Sequence, residues 1–193
     1  MNQNLKITDY QERVLQEEVI YTGQIIDVVK EKVQLPDSTT AYREIVHHAP
    51  AVAIIVINQD DQMLVVHQWR AAIRAMTIEI PAGKMDERDS NPVQAAVREL
   101  NEETRLAAGT LELVTKFYSS IGFADEEIYI YHAQDLSVVQ NALPQDQDEQ
   151  LSLEWVDFKT MKQMFQTGQL NDVKTSLAFL YWQGLRLKAA KIR

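Results

Sequence analysis

Glu99, Glu102 and Glu103 follow Arg98 in the string Arg98-Glu99-Leu100-Asn101-Glu102-Glu103-Thr104, the part of the chain whose composition most needs a chemical reason. On a helix, at about 100° per residue, Glu99 and Glu103 share one flank, Glu102 lies beside them and Arg98 stands further round. Like charges four apart destabilise an isolated helix by roughly 0.2–0.5 kcal/mol, so an offsetting partner is expected. A hard divalent cation would serve. Mg2+ takes oxygen ligands, keeps several waters, and suits two or three carboxylates facing a diphosphate. Arg98, four residues before Glu102, is spaced to hold that carboxylate in position. The plainer reading of the same string is a solvated acidic helix face.

The elements that must position these residues are legible nearby. Asn91 is a good N-cap and Pro92 fits the first helical position, where its missing N–H is not needed. Val93, Ala96, Val97, Leu100 and the Thr104 methyl recur at three- and four-residue steps, which predicts one buried stripe. Gly109 offers a stop one turn beyond Arg105 and predicts a helix continued to it. Upstream, Thr77-Ile78-Glu79-Ile80 reads as a strand that runs straight into the loop at Gly83.

Further from that segment the chain alternates strands with turn signals. Thr8 to Glu18 is a polar stretch of helical character, and Val19 to Leu35 makes two short strands. Pro36-Asp37-Ser38 is a turn before a strand from Thr40 to His47. Ala51 to Asn58 is a continuous apolar run, expected to be buried on both faces, and Met63 to Trp69 returns as its hairpin partner after Asn58-Gln59-Asp60-Asp61. Leu111 to Tyr118, Ile128 to His132 and Leu151 to Val156 are further strands. Asp157 caps a helix that Gly168 ends, and Asn171 or Asp172 caps a last helix to about Leu187. This order predicts an α/β (α+β) fold, a mixed β-sheet sandwiched between helices, with an N-terminal antiparallel strand extension.

Composition narrows the function classes. At 193 residues, 46% hydrophobic and 24% charged, the chain is long enough for one well-cored domain. A net charge of −9 argues against non-specific nucleic-acid binding and means that an anionic ligand needs local cations and arginines. The absence of cysteine excludes disulfides, thiolate metal sites and cysteine nucleophiles, and fits a reducing compartment. The opening residues lack a long apolar core and no apolar run approaches a membrane span, so a cytoplasmic protein without a membrane anchor is expected. His47 and His48 would face opposite sides of a strand and no His-x-x-x-His pair exists, which speaks against zinc.

Around the acidic helix the chain resembles the Nudix hydrolase superfamily. That signature runs Gly, five residues, Glu, seven residues, Arg-Glu-apolar-any-Glu-Glu-any-Gly-apolar. Here Gly83 is followed after five residues by Asp89 and after eight more by Arg98-Glu99-Leu100-Asn101-Glu102-Glu103-Thr104-Arg105-Leu106. Asp89 thus replaces the glutamate, the spacer is one residue longer, and Arg105 takes the glycine position. The runs Arg43-Glu44-Ile45-Val46, Gln68-Trp69-Arg70, Glu79-Ile80-Pro81-Ala82-Gly83-Lys84 and Gly122-Phe123-Ala124-Asp125-Glu126 look like the ADP-ribose pyrophosphatase branch, over roughly residues 19 to 185.

The resemblance implies specific roles. Glu99, Glu102 and Glu103, with the backbone carbonyl of Ala82, match the family's ligands for Mg2+, with Mn2+ as a substitute, and Glu102 also belongs to the catalytic set. Arg43 and Arg70 match substrate-contacting positions, and Glu79 lines the same cleft. The catalytic base of this branch sits on a loop that corresponds to Gln147-Asp148-Glu149-Gln150, with Glu149 the first choice and Asp148 the second. The partner implied is a small nucleoside diphosphate sugar. A homodimer is implied too, in which residues 1–46 form a dimerisation arm and 47–193 the Nudix domain. Plainer readings stand beside these: Arg43 and Arg70 as surface ion pairs, and the acidic loop as solvated chain. The alternative function is a Nudix-like module that binds or senses ADP-ribose without cleaving it.

Overall fold

Residues 6–145 and 150–192 are described by the computed structural model of the chain, which forms two compact units, 1–50 with 117–127 and 51–116 with 128–193. In the first, the strands β1 (Arg13–Thr22), β2 (Ile26–Gln34) and β3 (Thr40–His48) form an antiparallel sheet in that order. The turn between β2 and β3 is closed by Asp37, whose carboxylate accepts from the Thr39 amide at 2.9 Å and the Thr39 hydroxyl at 2.6 Å. β1 is exposed along its whole length. The stretch from Thr8 to Glu18 is not helical beyond a single 3-10 turn at Ile7–Asp9. Its later half is recruited into β1, where Glu18 faces Lys30 and Gln16 faces Lys32 across the ladder, and such pairing overrides local propensity.

The second unit holds two sheets. One is antiparallel, with β5 (Gln62–Arg70) between β10 (Leu151–Asp157) and β6 (Ala75–Glu79). The other is mixed, in the order β7 (Ala82–Lys84), β4 (Ala51–Val56), β9 (Glu127–Val138), β8 (Leu106–Tyr118), with β4 parallel to β9 and antiparallel to β7. Every residue of β4 is buried, as its unbroken apolar sequence predicts. The expected β4–β5 hairpin does not form. Only an isolated bridge joins Ile57 to Met63 across the Asn58 turn, and the two strands then enter different sheets, so that each buried run has its own neighbours.

Three α-helices are described: α1 (Pro92–Thr104), α2 (Phe158–Gln166) and α3 (Val173–Ile192). Ala95, Ala96 and Leu100 of α1 pack with Val52, Ile54 and Val56 of β4, Leu64 of β5 and Tyr131 and Ala133 of β9 in one core cluster. Each large aliphatic side chain buried there contributes on the order of 1.5–3 kcal/mol. α2 begins at Asp157, whose side chain accepts from the Thr160 amide, and it packs on α3 through Phe158 and Phe165 against Phe179. No helix of the described residues is long and apolar enough to cross a membrane.

Candidate active site

The site is built on α1, and its ends are set by local chemistry. Asn91 is extended at φ −162° and its side chain accepts from the Gln94 amide at 3.0 Å, with Pro92 following as expected. The other end differs from expectation. The helix does not run on to Gly109 but stops at Thr104, and Arg105 itself takes the left-handed conformation at φ 62°. Leu106 immediately enters β8, which leaves no residues for another turn. The Arg105 amide donates to the Asn101 carbonyl at 3.1 Å, and its guanidinium donates to the Leu143 carbonyl. These contacts hold a side chain where the family pattern has glycine.

The face that α1 buries also differs. Ala96, Leu100 and Thr104 point inward as predicted, but Val93 and Val97 are 44% and 55% exposed, whereas Arg98, Glu99, Glu102 and Glu103 are buried. The helix is turned so that its charged edge faces β7, and Gly83, expected in a loop, lies in that strand paired with Val52. Buried charges require partners, and here they have them. One nitrogen of Arg98, Nη1, donates to both Glu99 and Glu102 at 2.7 Å; Nε and Nη2 donate to the two oxygens of Asp89 at 3.1 and 2.7 Å; Nη2 also reaches the Lys84 carbonyl at 3.0 Å. Burial works against the charge of Arg98, but its hydrogen bonds to Asp89 and the negative charge of Glu99 outweigh it and raise its pKa. Asp89 is lowered by the same contact. Asp89 therefore serves the site by gripping Arg98.

Glu103 accepts from the Ala82 amide at 3.2 Å, which ties α1 to β7. The Glu99 carboxylate lies directly over Gly83, in space that any larger residue would fill. Arg88 adds a contact that the sequence reading missed. It donates to Glu102 at 3.4 Å and is held by Asp86, whose pKa falls to about 2 chiefly through the Arg88 hydrogen bonds. An arginine in a polar loop gives no sequence signal of this.

Arg70 and Glu79 belong to the same unit. Nε and Nη2 of Arg70 donate to the two oxygens of Glu79 at 2.6 and 2.7 Å, and the hydrogen bond and charge of Glu79, with Asp172 and Glu103 further off, raise the Arg70 pKa. Glu79 is buried, which alone would raise its pKa; Arg70, the charge of Lys174 and the Thr77 hydroxyl bring it down to about 2. Arg43 lies in the other unit, where Glu12 holds its guanidinium. Glu149 and Asp148 fall outside the described residues; shortly before them, the Gln145 amide approaches the Glu103 carbonyl at 3.4 Å. A separate cavity of about 560 Å3 in the second unit is lined by His132, Gln134, Tyr181 and Arg186 and contains none of these residues.

Buried carboxylates at Glu99, Glu102 and Glu103, beside the backbone of Ala82, form an oxygen-only donor set of the kind a hard divalent cation takes, so the residues fit such an ion. Among the described residues no three acidic or imidazole groups are already gathered around one point. Glu99 and Glu102 instead converge on one nitrogen of Arg98, a positive charge at the centre of the acidic set.

The chain belongs to the Nudix hydrolase family: the NUDIX domain model matches residues 47–176. It is 35% identical over 173 residues to the ADP-ribose pyrophosphatase of Bacillus subtilis (strain 168), covering 90% of this chain and 93% of that one. It is 36% identical over 174 residues to the methanol dehydrogenase activator of Bacillus methanolicus, covering 90% and 94%. The crystal structure of an ADP compounds hydrolase superposes with a TM-score of 0.78 at 20% identity over 93% of this chain and 96% of that one, a likeness of fold.

Proposed function

We propose that the chain hydrolyses the diphosphate of ADP-ribose, or of a related nucleoside diphosphate sugar, to AMP and ribose 5-phosphate in a Mg2+-dependent reaction. The observation that carries the proposal is the inward charged face of α1, with Glu99, Glu102 and Glu103 buried, the first two held by Arg98 and the third by the Ala82 amide of β7. The similarity to a pyrophosphatase along nine-tenths of the chain supports the choice of substrate.

Glu99, Glu102, Glu103 and the Ala82 carbonyl would hold the divalent ion, which supplies charge neutralisation of the diphosphate and a more acidic bound water. Arg98 keeps two of these carboxylates in register, and Asp89 keeps Arg98 in register. Arg70 offers its remaining N–H donors to a phosphate oxygen while Glu79 holds its other side. Arg43 is the second anion contact. A carboxylate of the acidic loop, Glu149 before Asp148, takes the proton of the attacking water. The water oxygen bonds to phosphorus, the bridging P–O bond breaks, and the leaving phosphate departs as the second monoester. The chain acts as a cytoplasmic homodimer through residues 1–46, with 47–193 as the catalytic domain.

The alternative, a sensor that binds ADP-ribose without cleavage, rests on Asp89, the longer spacer and Arg105. Both substitutions are accommodated without loss of a helix carboxylate, which favours hydrolysis. Chromatography of AMP and ribose 5-phosphate released from ADP-ribose with and without Mg2+ tests the proposal. Glu103→Gln is expected to abolish turnover while leaving the circular dichroism spectrum unchanged; tight calorimetric binding with no AMP formed by the unmodified protein would favour the sensor.

A further inference from the structure

α3 begins beside the site, and its first turn is wired to it. Lys174 has a side chain only 13% exposed, and its ammonium group lies 3.2 Å from Oε2 of Glu79 and 2.7 Å from Oδ1 of Asp172. The other oxygen of Asp172 accepts from the Thr175 amide at 2.9 Å and the Thr175 hydroxyl at 2.6 Å, which caps the helix. The Thr175 hydroxyl in turn accepts from the Ile80 amide at 2.9 Å, two residues before β7, which carries Ala82 and Gly83.

Glu79 therefore has both oxygens occupied. Oε1 receives Arg70 Nε at 2.6 Å and the Thr77 hydroxyl at 2.8 Å; Oε2 receives Arg70 Nη2 at 2.7 Å and Lys174 at 3.2 Å. Arg70 is a long side chain at the end of β5 and 44% exposed, so by itself it would sample many rotamers. A bidentate partner fixes the plane of its guanidinium only if that partner is fixed as well. Thr77 alone fixes one oxygen, and a carboxylate held at one oxygen can still rotate about it. Lys174 supplies the second hold, and Asp172 keeps the lysine from following the carboxylate outward.

We propose that Lys174 is a positioning residue: acting through Glu79, it fixes Arg70 in the orientation that receives the substrate diphosphate. This rests on the reading of Arg70 as an anion contact. Lys174 touches no reacting atom. Its removal loosens binding and leaves the chemical step intact, because the carboxylates of α1 have their own support from Arg98 and Ala82.

Steady-state kinetics with ADP-ribose and Mg2+ test the proposal on the full chain. Lys174→Met is expected to raise KM about tenfold with kcat held within about twofold, and Lys174→Arg to restore most of the lost affinity. Arg70→Ala is expected to raise KM at least as far, and adding Lys174→Met to it should change nothing further. If Arg70→Ala leaves KM unchanged, the reading of Arg70 itself fails. If Arg70→Ala raises KM while Lys174→Met does not, or if the two effects multiply in the double variant, Lys174 does not act through Arg70 and the proposal is overturned. Should Lys174→Met melt below the assay temperature, Lys174→Gln, which leaves Glu79 in place and removes only the charge, is measured in its place, with a rise in KM expected and an unchanged KM again overturning it.

Discussion

A Cβ atom built on Gly83 would overlap Cδ of Glu99, so β7 and α1 approach each other at a residue that has no side chain. The glycine has no positive φ and is not required by the backbone; it is required by the carboxylate. Gly83→Ala should therefore displace Glu99 while leaving the fold in place. Turnover or divalent-ion affinity is expected to fall about 10- to 100-fold, with a melting temperature lowered by only a few degrees. Kinetics at saturating Mg2+ alongside a thermal melt check this; unchanged activity would mean that Glu99 is free to work elsewhere.

Arg98 is a cation shared by Asp89, Glu99 and Glu102, and it is buried together with the two glutamates. Removing one member of such a set leaves uncompensated buried charge, so Arg98→Met is expected to lower stability by about 3–5 kcal/mol in urea unfolding. A divalent ion bound by the carboxylates should return part of that loss, by about 2.7 kcal/mol at a hundredfold excess over its dissociation constant. A variant whose urea midpoint is indifferent to Mg2+ would speak against the carboxylates as ligands.

Glu79 titrates at about 2 in the folded chain, against an ordinary value of 4.5. A depressed folded pKa contributes stability that is fully present above pH 4.5 and is lost as pH falls toward 2. The difference corresponds to about 3 kcal/mol. Glu79→Gln should remove this share of the acid dependence, so that its stability curve lies below that of the unmodified chain at pH 6 and converges on it near pH 2. Urea unfolding across that window measures the convergence; curves that stay parallel would place the acid sensitivity in other carboxylates.

Arg105 carries a left-handed backbone at φ 62°. Arg105→Gly relieves the steric penalty but loses the hydrogen bond to Leu143, two effects of about 1 kcal/mol each and opposite in sign, so the net change should stay within about 1 kcal/mol. Arg105→Val keeps the penalty, worsens it through β-branching and loses the bond as well, and is expected to cost about 2 kcal/mol or more. Equal stabilities for the two variants would show that the left-handed turn is not strained.

These variants also mark what was legible in the sequence. The caps at Asn91 and Asp157 and the hold of Arg98 on Glu102 are local, within four residues, and could be read directly. The sequence pattern points the wrong face of α1 inward because Val93 and Val97 complete a good apolar stripe, whereas the charged edge is buried where β7 arrives with the Ala82 amide and, at Gly83, no Cβ. The parting of β4 and β5 was hidden because two apolar runs joined by a four-residue turn have the pattern of a hairpin whichever sheets they enter. Lys174 could not be found at all. It lies 95 positions from the carboxylate it holds, and a lysine in the first turn of a helix carries no mark of its partner.

Val97, turned outward next to Arg98, gives the chain a practical property. The protein contains no cysteine, so Val97→Cys would introduce a lone thiol, reachable by a spin label or fluorophore, on the solvent side of α1. A reporter attached there would sense rearrangement of the acids behind it without occupying the cleft, and its spectrum could follow ion loading in real time.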